Sequence, residues 1–338
     1  MKTMLVTGGA GFIGTNFIRH ILTQYPDYRV INLDKLTYAG NLSNLQDLAE
    51  NPRYDFITGD ICDSNLVDAL FSQGHIHFVV NFAAESHVDR SIMGAGEFLK
   101  TNAEGVYTLL QAARKHNIDR FLQVSTDEVY GSLGPTEKPW TERSPLQPRN
   151  PYSVTKASGD MMAQAFFHTY SMPIVITRAS NNIGPYQYPE KRVPLFITHA
   201  IDDLPLPIYG TGLAVRDHLF VTDHCEAIDL VLHQGTPGQI YNVGAENEAN
   251  GLDVTHAILQ HLGKPPDLIA HIADRPGHDQ RYALNTEKVQ ALGWVPKHTF
   301  TQALEKTINW YVENDSWWRQ LKNSQGFKSY YQKQYAPK

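Results

Sequence analysis

Thr7-Gly8-Gly9-Ala10-Gly11-Phe12-Ile13-Gly14 joins a short apolar run, residues 4–7, to an amphipathic stretch, residues 12–24. Glycines at 8, 11 and 14 let the backbone turn tightly, approach a pyrophosphate closely and pack a helix against a sheet. The start of that helix then faces the phosphates with its free amides. A glycine-rich loop by itself is a weak signal, because many turns look alike. Its place between a strand and a helix gives it meaning, and Asp34, closing the next strand-like run, supports it. Asp34 lies at the distance expected for a carboxylate that binds the ribose of a dinucleotide. An acid at that point favours NAD, since it would repel the extra phosphate of NADP. Asp60-Ile61 and Asn81-Phe82-Ala83-Ala84 fall after the next two strands, where contacts to adenosine and to the nicotinamide ribose are expected.

Outward from the loop, strand-type runs at 4–7, 29–33, 55–58, 78–82, 121–125 and 174–178 alternate with helix-type segments at 12–24, 66–73, 103–116 and 153–170. Such alternation predicts an α/β fold, a doubly wound parallel sheet of Rossmann type covered on both faces. Beyond Arg178 the pattern breaks at Pro185-Tyr186-Gln187-Tyr188-Pro189. Further strands are expected near 206–209 and 240–243, and a last clear helix over roughly 300–314. The expected division is a dinucleotide-binding domain over 1–180, with about 217–246, and a smaller C-terminal substrate lobe over 181–216 and 247–338. A cleft should lie between them.

Composition narrows the partners. The 338 residues carry a formal net charge of −6 and no polybasic stretch, which argues against nucleic acid. No apolar run approaches a membrane span. Met1 to Thr7 passes straight into the glycine loop and reads as a strand, not a signal peptide. The two cysteines, Cys62 and Cys225, are far apart and form no CxxC pair, so neither a disulfide framework nor a metal site is expected. His75 and His77 flank a strand, and no HExxH spacing exists. A cytoplasmic address follows as the expectation.

The candidate chemistry lies in two segments. Tyr152-Ser153-Val154-Thr155-Lys156 puts Tyr and Lys four apart, on one face of a helix. Lys156 beside the phenol, with a positively charged nicotinamide nearby, is expected to lower the Tyr152 pKa. The phenol can then take the proton of an alcohol whose hydride leaves. Tyr and Lys recur at this spacing on many helices; the glycine loop upstream and Ser125-Thr126 at the end of the fifth strand make the pair significant. Thr126 or Ser125 would hydrogen-bond the reacting hydroxyl. The whole pattern resembles the extended short-chain dehydrogenase/reductase superfamily, whose members act largely on nucleotide sugars.

The second segment, Ser125-Thr126-Asp127-Glu128-Val129-Tyr130-Gly131, sets two acids side by side at the carboxyl end of a central strand. Oxidising a hexose at C4 makes the C5 hydrogen acidic, and expulsion of the C6 hydroxyl then needs one base and one acid. Two carboxyls in differing environments can divide those roles. With this pair, the chain resembles the dTDP-glucose 4,6-dehydratase family nearly end to end. The resemblance is carried also by Asp34-Lys35-Leu36-Thr37-Tyr38-Ala39-Gly40-Asn41, Ala83-Ala84-Glu85-Ser86-His87-Val88-Asp89-Arg90-Ser91, Ser180-Asn181-Asn182, Gly184-Pro185-Tyr186-Gln187, Pro189-Glu190-Lys191 and Asp274-Arg275-Pro276-Gly277-His278-Asp279.

The resemblance implies dehydration of dTDP-glucose to its 4-keto-6-deoxy product, with tightly bound NAD regenerated in each turnover. It makes Tyr152, with Lys156 and Thr126, the group for C4 oxidation, Glu128 the base at C5 and Asp127 the acid at the C6 hydroxyl. It adds Phe12, Ile13, Lys35, Thr37 and Asn181 to the cofactor contacts. It puts Arg216 and Arg275 on the diphosphate, where a guanidinium fork matches phosphate oxygens, and Pro207 and Tyr209 near the thymine. Ser86, His87, Asn181, Glu190, Lys191 and His278 complete the implied substrate contacts. It also implies a homodimer built on residues 95–116 and 153–170. The family usually has Tyr-Ser-Ala-Ser-Lys, Asn-Tyr-Gly and Trp-Leu-Tyr-Val where this chain has Tyr152-Ser153-Val154-Thr155-Lys156, Asn182-Ile183-Gly184 and His218-Leu219-Phe220-Val221. None of these departures removes a proposed catalytic group, but the last two fall in substrate-contacting segments. Epimerases and decarboxylases on the same scaffold lack the paired acids, and a silent NAD sensor would need neither Tyr152 nor Lys156. No GxSxG elbow is present, which sets aside a serine hydrolase.

Overall fold

The computed structural model describes residues 1–335. Among these described residues twelve strands run in chain order: β1 Lys2–Thr7, β2 Tyr28–Asp34, β3 Tyr54–Thr58, β4 Ile76–Asn81, β5 Arg120–Thr126, β6 Ile174–Ala179, β7 Asn181–Ile183, β8 Leu206–Tyr209, β9 Val215–Phe220, β10 Ile240–Val243, β11 Glu248–Asn250 and β12 Ile269–Ile272. Seven form one parallel sheet in the order β10-β6-β5-β4-β1-β2-β3. The central strands are buried along nearly their whole length, as strands covered by helices on both faces must be. Helices Phe12–Gln24 and Val221–Gln234 pack on one face, and Val106–Lys115 and Pro151–Tyr170 on the other. The strand order reverses between β1 and β4, so a crevice opens there at the carboxyl ends of the strands.

The expected helix over 103–116 opens differently. Lys100–Gly105 is a wide π-turn that runs into Val106–Lys115. In that turn the Asn102 side-chain amide donates to the Glu85 carbonyl at 2.9 Å and to Thr155 Oγ1 at 3.0 Å. It thereby ties the segment after β4 to the Tyr152 helix.

Beyond β6 the smaller elements surround a third core of Leu195, Phe196, Ile208, Ile258, Ile308, Tyr311 and Trp318. Strands β7, β9 and β11 make a three-stranded sheet, and β8 pairs in parallel with β12. The chain does not end its regular structure near residue 314. The backbone leaves the helical region at Asn314, and two more helices follow, Asp315–Asn323 and Gln325–Tyr335. These segments are too polar to announce themselves by composition. They are held because Trp318 and Phe327 bury in the third core, with Leu321, Tyr331 and Tyr335 packed against it, while Tyr330 buries beside His87 and Arg90.

Candidate active site

The glycine loop wraps tightly under the crevice. Gly8 has φ +70°, and a Cβ there would sit 2.6 Å from the Ala83 backbone nitrogen; one on Gly14 would sit 2.5 Å from the Gly8 carbonyl oxygen. Only glycine fits either position. Asp34 accepts from the Ala10 amide at 2.9 Å and the Leu36 amide at 2.8 Å. Burial still raises its pKa, the two amides opposing it. Lys35 pairs with Asp60 at 2.8 Å.

A cleft of about 1270 Å³ runs over this loop. Residues from Gly8, Gly11, Phe12, Ile13 and Gly14 through Asp34, Lys35, Thr37, Asp60, Ile61, Phe82, Ala83 and Ala84 to Tyr152 and Lys156 line it, so a dinucleotide fits the residues present. Asn181 stands apart: it lines a second cleft of about 1130 Å³, with His87, Glu128, Pro207, Tyr209, Arg216, Arg275 and His278. Gln187, Glu190 and Lys191 line both. Ser86 belongs to the first cleft, and Lys191 Nζ donates to its carbonyl at 2.8 Å.

The paired acids sit where β5 ends. Thr126 caps the short turn Asp127–Tyr130: its hydroxyl accepts from the Glu128 amide at 3.2 Å and donates to Asp127 Oδ1 at 3.2 Å. The two carboxyls meet different surroundings. Burial, then the neighbouring Glu128 charge, pushes Asp127 well above the usual carboxylate range. Burial raises Glu128 too, but Arg275, Arg216, Lys191 and the Asn150 side chain oppose it. Asp127 Oδ2, Ser125 Oγ and Asn181 Oδ1 are buried with no partner. Ser125 lines the first cleft and Asn181 the second, whereas Thr126 and Asp127 line neither; a buried polar atom without a partner suits a site that takes a polar group.

Tyr152 and Lys156 lie on one face of the helix Pro151–Tyr170, started by an Asn150 capping box. The expectation that Lys156 lowers the phenol does not hold for the protein alone. Burial raises the Tyr152 pKa, Glu128 raises it further, and the opposing influence is a hydrogen bond from Thr126. Lys156 Nζ instead donates to the Val124 carbonyl at 2.7 Å, and burial pushes its pKa down to about 8.

In the second cleft the expected cations differ from one another. Arg275 pairs with Asp89 at 3.3 Å, whereas Arg216 has no carboxylate partner among the described residues. It donates to the Val215 and Asp279 carbonyls and lies over Tyr282 at 4.1 Å. Tyr209 donates to Asp89 Oδ2 at 3.1 Å. Glu190 is held by Arg90 at 2.9 Å, and His87 is buried beside Tyr330 at 3.3 Å. The His278 Nδ1–H donates to Asp274 Oδ1 at 2.7 Å.

Sequence reasoning passed over Asp89, Arg90, Arg192, Tyr282, Tyr330 and Tyr335. Asp89 and Arg90 stand within a quoted motif, and only their bonds to Arg275 and Glu190 reveal their place. Tyr330 and Tyr335 come from the unexpected C-terminal helix, where Tyr330 reaches His87 and Tyr335 lines the second cleft. The spacing of Phe327, Tyr330 and Gln334 at helical intervals was the available signal.

Comparison with known proteins gives consistent matches. The family model described as GDP-mannose 4,6 dehydratase matches residues 5–307. The dTDP-glucose 4,6-dehydratase of Neisseria meningitidis serogroup B is 47% identical, over 96% of this chain and 97% of its own. The crystal structure of DesIV, a dTDP-glucose 4,6-dehydratase from Streptomyces venezuelae with NAD and TYD bound, superposes with a TM-score of 0.91 at 47% identity, covering 95% of this chain and 100% of that one. The Thermus thermophilus UDP-glucose 4-epimerase in complex with NAD shares the fold at a TM-score of 0.86, but only 28% identity over 92% of this chain and 99% of that one.

Proposed function

The chain belongs to the nucleotide-sugar 4,6-dehydratase family, and from this we infer that it carries out the NAD-dependent dehydration of dTDP-glucose to dTDP-4-keto-6-deoxyglucose, a hydro-lyase reaction. The observation that carries the reading is the Asp127–Glu128 pair at the end of β5, with Glu128 lining the second cleft and the two members held in unlike electrostatic surroundings. Bound NAD supplies a reversible hydride acceptor, which takes hydride from C4 and returns it to C6. It would lie along the first cleft, over Gly8, Gly11 and Gly14, with Asp34 at its ribose.

The chain's own groups move the protons. Tyr152 takes the proton of the C4 hydroxyl, with Thr126 hydrogen-bonding the same oxygen. Its raised pKa means that a nearby positive charge is needed to make it a base. The bound cofactor would bring that charge, and Lys156, fixed on the Val124 carbonyl, would add to it once the site is filled. Glu128, supported by Arg275, Arg216 and Lys191, removes the C5 proton. Asp127, kept protonated by burial, gives its proton to the departing C6 hydroxyl. This division agrees with acid and base groups whose environments drive their pKa values apart. The C5 carbon is reprotonated in the last step.

The nucleotide would lie in the second cleft, its diphosphate at Arg216 and Arg275 and its base near Pro207 and Tyr209. His87, Asn181, Glu190 and His278 complete that site. In this reading residues 1–180 with about 217–246 hold the cofactor, and 181–216 with 247–335 hold the nucleotide sugar, the expected bound at 338 lying outside the described residues. The membership of β10 in the large sheet supports the return of the chain to the first part.

The same reading makes the protein a cytoplasmic homodimer. Among the described residues no helix is long and apolar enough to cross a membrane, and both cysteines are free thiols. Leu99, Tyr107, Val154, Met161 and Tyr170 expose apolar surface on the neighbouring helical segments expected to pair.

Incubation with dTDP-glucose, followed through the alkali-developed absorbance of the 4-keto-6-deoxy product, tests the function. Failure to form product from any common nucleotide-linked glucose would overturn it.

A further inference from the structure

We propose that Arg192 is a nucleotide-binding residue of this chain, held by His218 and laid over Gly251 so that its guanidinium joins Arg216 on the diphosphate of the nucleotide sugar. The proposal rests on the reading of the second cleft as the nucleotide-sugar site, and it adds a residue that no motif pointed to.

Four observations carry it. Arg192 lines the second cleft and makes no ion pair among the described residues; its Nη2 donates to His218 Nε2 at 3.1 Å. Its position is poor for an unaccompanied cation, because it opens the helix Arg192–Ile201 and its guanidinium reaches the start of a second helix, Gly251–His261. Helix N-termini carry partial positive charge and favour anions. Burial together with the charges of Arg216 and Arg275 pushes its pKa down to about 9, which marks a guanidinium lacking a counter-charge. Arg275 has Asp89, but among the described residues Arg216 and Arg192 have no carboxylate. A diphosphate diester bears one negative charge on each phosphate, which matches two uncompensated guanidinium groups in one cleft.

The geometry also explains why the group is held where it is. Arg216 and His218 alternate with Asp217 along β9, so they share one side of the strand while Asp217 turns to the Ala245 and Asn247 amides on the other. His218 is buried and its pKa falls to about 3, so the ring is neutral and offers Nε2 as an acceptor. A protonated ring could not orient the arginine. Gly251 leaves the space: a Cβ there would lie 3.1 Å from Arg192 Nη1 and 3.0 Å from the Gly212 carbonyl oxygen. The cleft therefore trades a side chain at 251 for a guanidinium delivered from 192.

The test is calorimetric titration of the NAD-loaded protein with dTDP and, separately, with thymidine. For Arg192→Leu, dTDP affinity should fall about tenfold to a hundredfold, the range of a lost charge-assisted hydrogen bond, while thymidine affinity stays as in the wild type. Arg192→Lys keeps the charge without the fork and should lose less. In turnover, KM for dTDP-glucose should rise by a larger factor than kcat falls, because the diphosphate is remote from the reacting carbons. An unchanged dTDP affinity in a folded Arg192→Leu overturns the proposal. So does an equal loss for dTDP and thymidine, which would move Arg192 to the nucleoside. If Arg192→Leu does not fold, His218→Leu carries the test: severalfold weaker dTDP binding supports the orienting role, and unchanged binding overturns it. A wild-type protein that binds no nucleoside diphosphate overturns the function as well, which distinguishes the two failures.

Discussion

Lys156 Nζ is hydrogen-bonded to the backbone carbonyl of Val124 at 2.7 Å, and its charge is buried with no carboxylate in contact among the described residues. The ammonium thus sits under the end of β5, fixed by the strand that carries Ser125, Thr126 and the paired acids. A buried cation so placed costs stability in the resting protein and serves the chemistry by its field.

Lys156→Met should therefore be more stable than the wild type in cofactor-free thermal melts, and should lose about two to four orders of magnitude in kcat. The sign with pH is fixed by the lowered pKa of about 8 against the ordinary 10.5. Below pH 8 both folded and unfolded chains are protonated, so the charge-burial penalty is fully present. As pH rises from about 8 toward 10.5, the folded chain sheds the proton first and the penalty disappears. The advantage of the methionine variant should shrink across that window; an advantage independent of pH would contradict the assignment.

The acids should separate by step. Glu128→Gln should still oxidise the sugar at C4, seen as reduced-nicotinamide fluorescence on mixing with dTDP-glucose, but should exchange no C5 hydrogen with deuterated solvent. Asp127→Asn should allow that exchange while slowing loss of the C6 hydroxyl about a hundredfold or more. A Glu128→Gln enzyme that dehydrates normally would refute its role as base.

Asp160 and Arg178 form an ion pair at 2.8 Å with both side chains almost fully buried, the guanidinium lying 4.8 Å from the Tyr130 ring. Asp160→Asn leaves that guanidinium without its counter-charge and should destabilise by about 3–5 kcal/mol, read by urea denaturation. Adding Arg178→Met should restore much of the loss. Without such recovery, the pair is not coupled as the distance indicates.

Leu99 and Met161, on the helical segments of the proposed dimer seam, are 58% and 57% exposed. Met161→Glu should shift the protein from dimer to monomer in light scattering after size-exclusion chromatography. A wild type that already runs as a monomer would remove the proposed dimer.

Residue patterns alone determined the parallel doubly wound class, the glycine loop, Asp34, the Tyr152–Lys156 helix and the acid pair. Each rests on local chemistry: a strand followed by a turn only glycine can make, a helical repeat, two neighbours in the chain. What only the tertiary structure decided was the charge state and partner of each group. The Tyr152 phenol stays protonated because its surroundings are dry, and Lys156 turns to Val124 because that carbonyl is in reach. The two C-terminal helices form because Trp318 and Phe327 find a core that their own polar segments do not advertise. Arg192 joins Arg216 in one cleft although 24 positions separate them. Burial and long-range juxtaposition set these features, because desolvation and the field of distant charges depend on the folded surroundings and not on sequence neighbours.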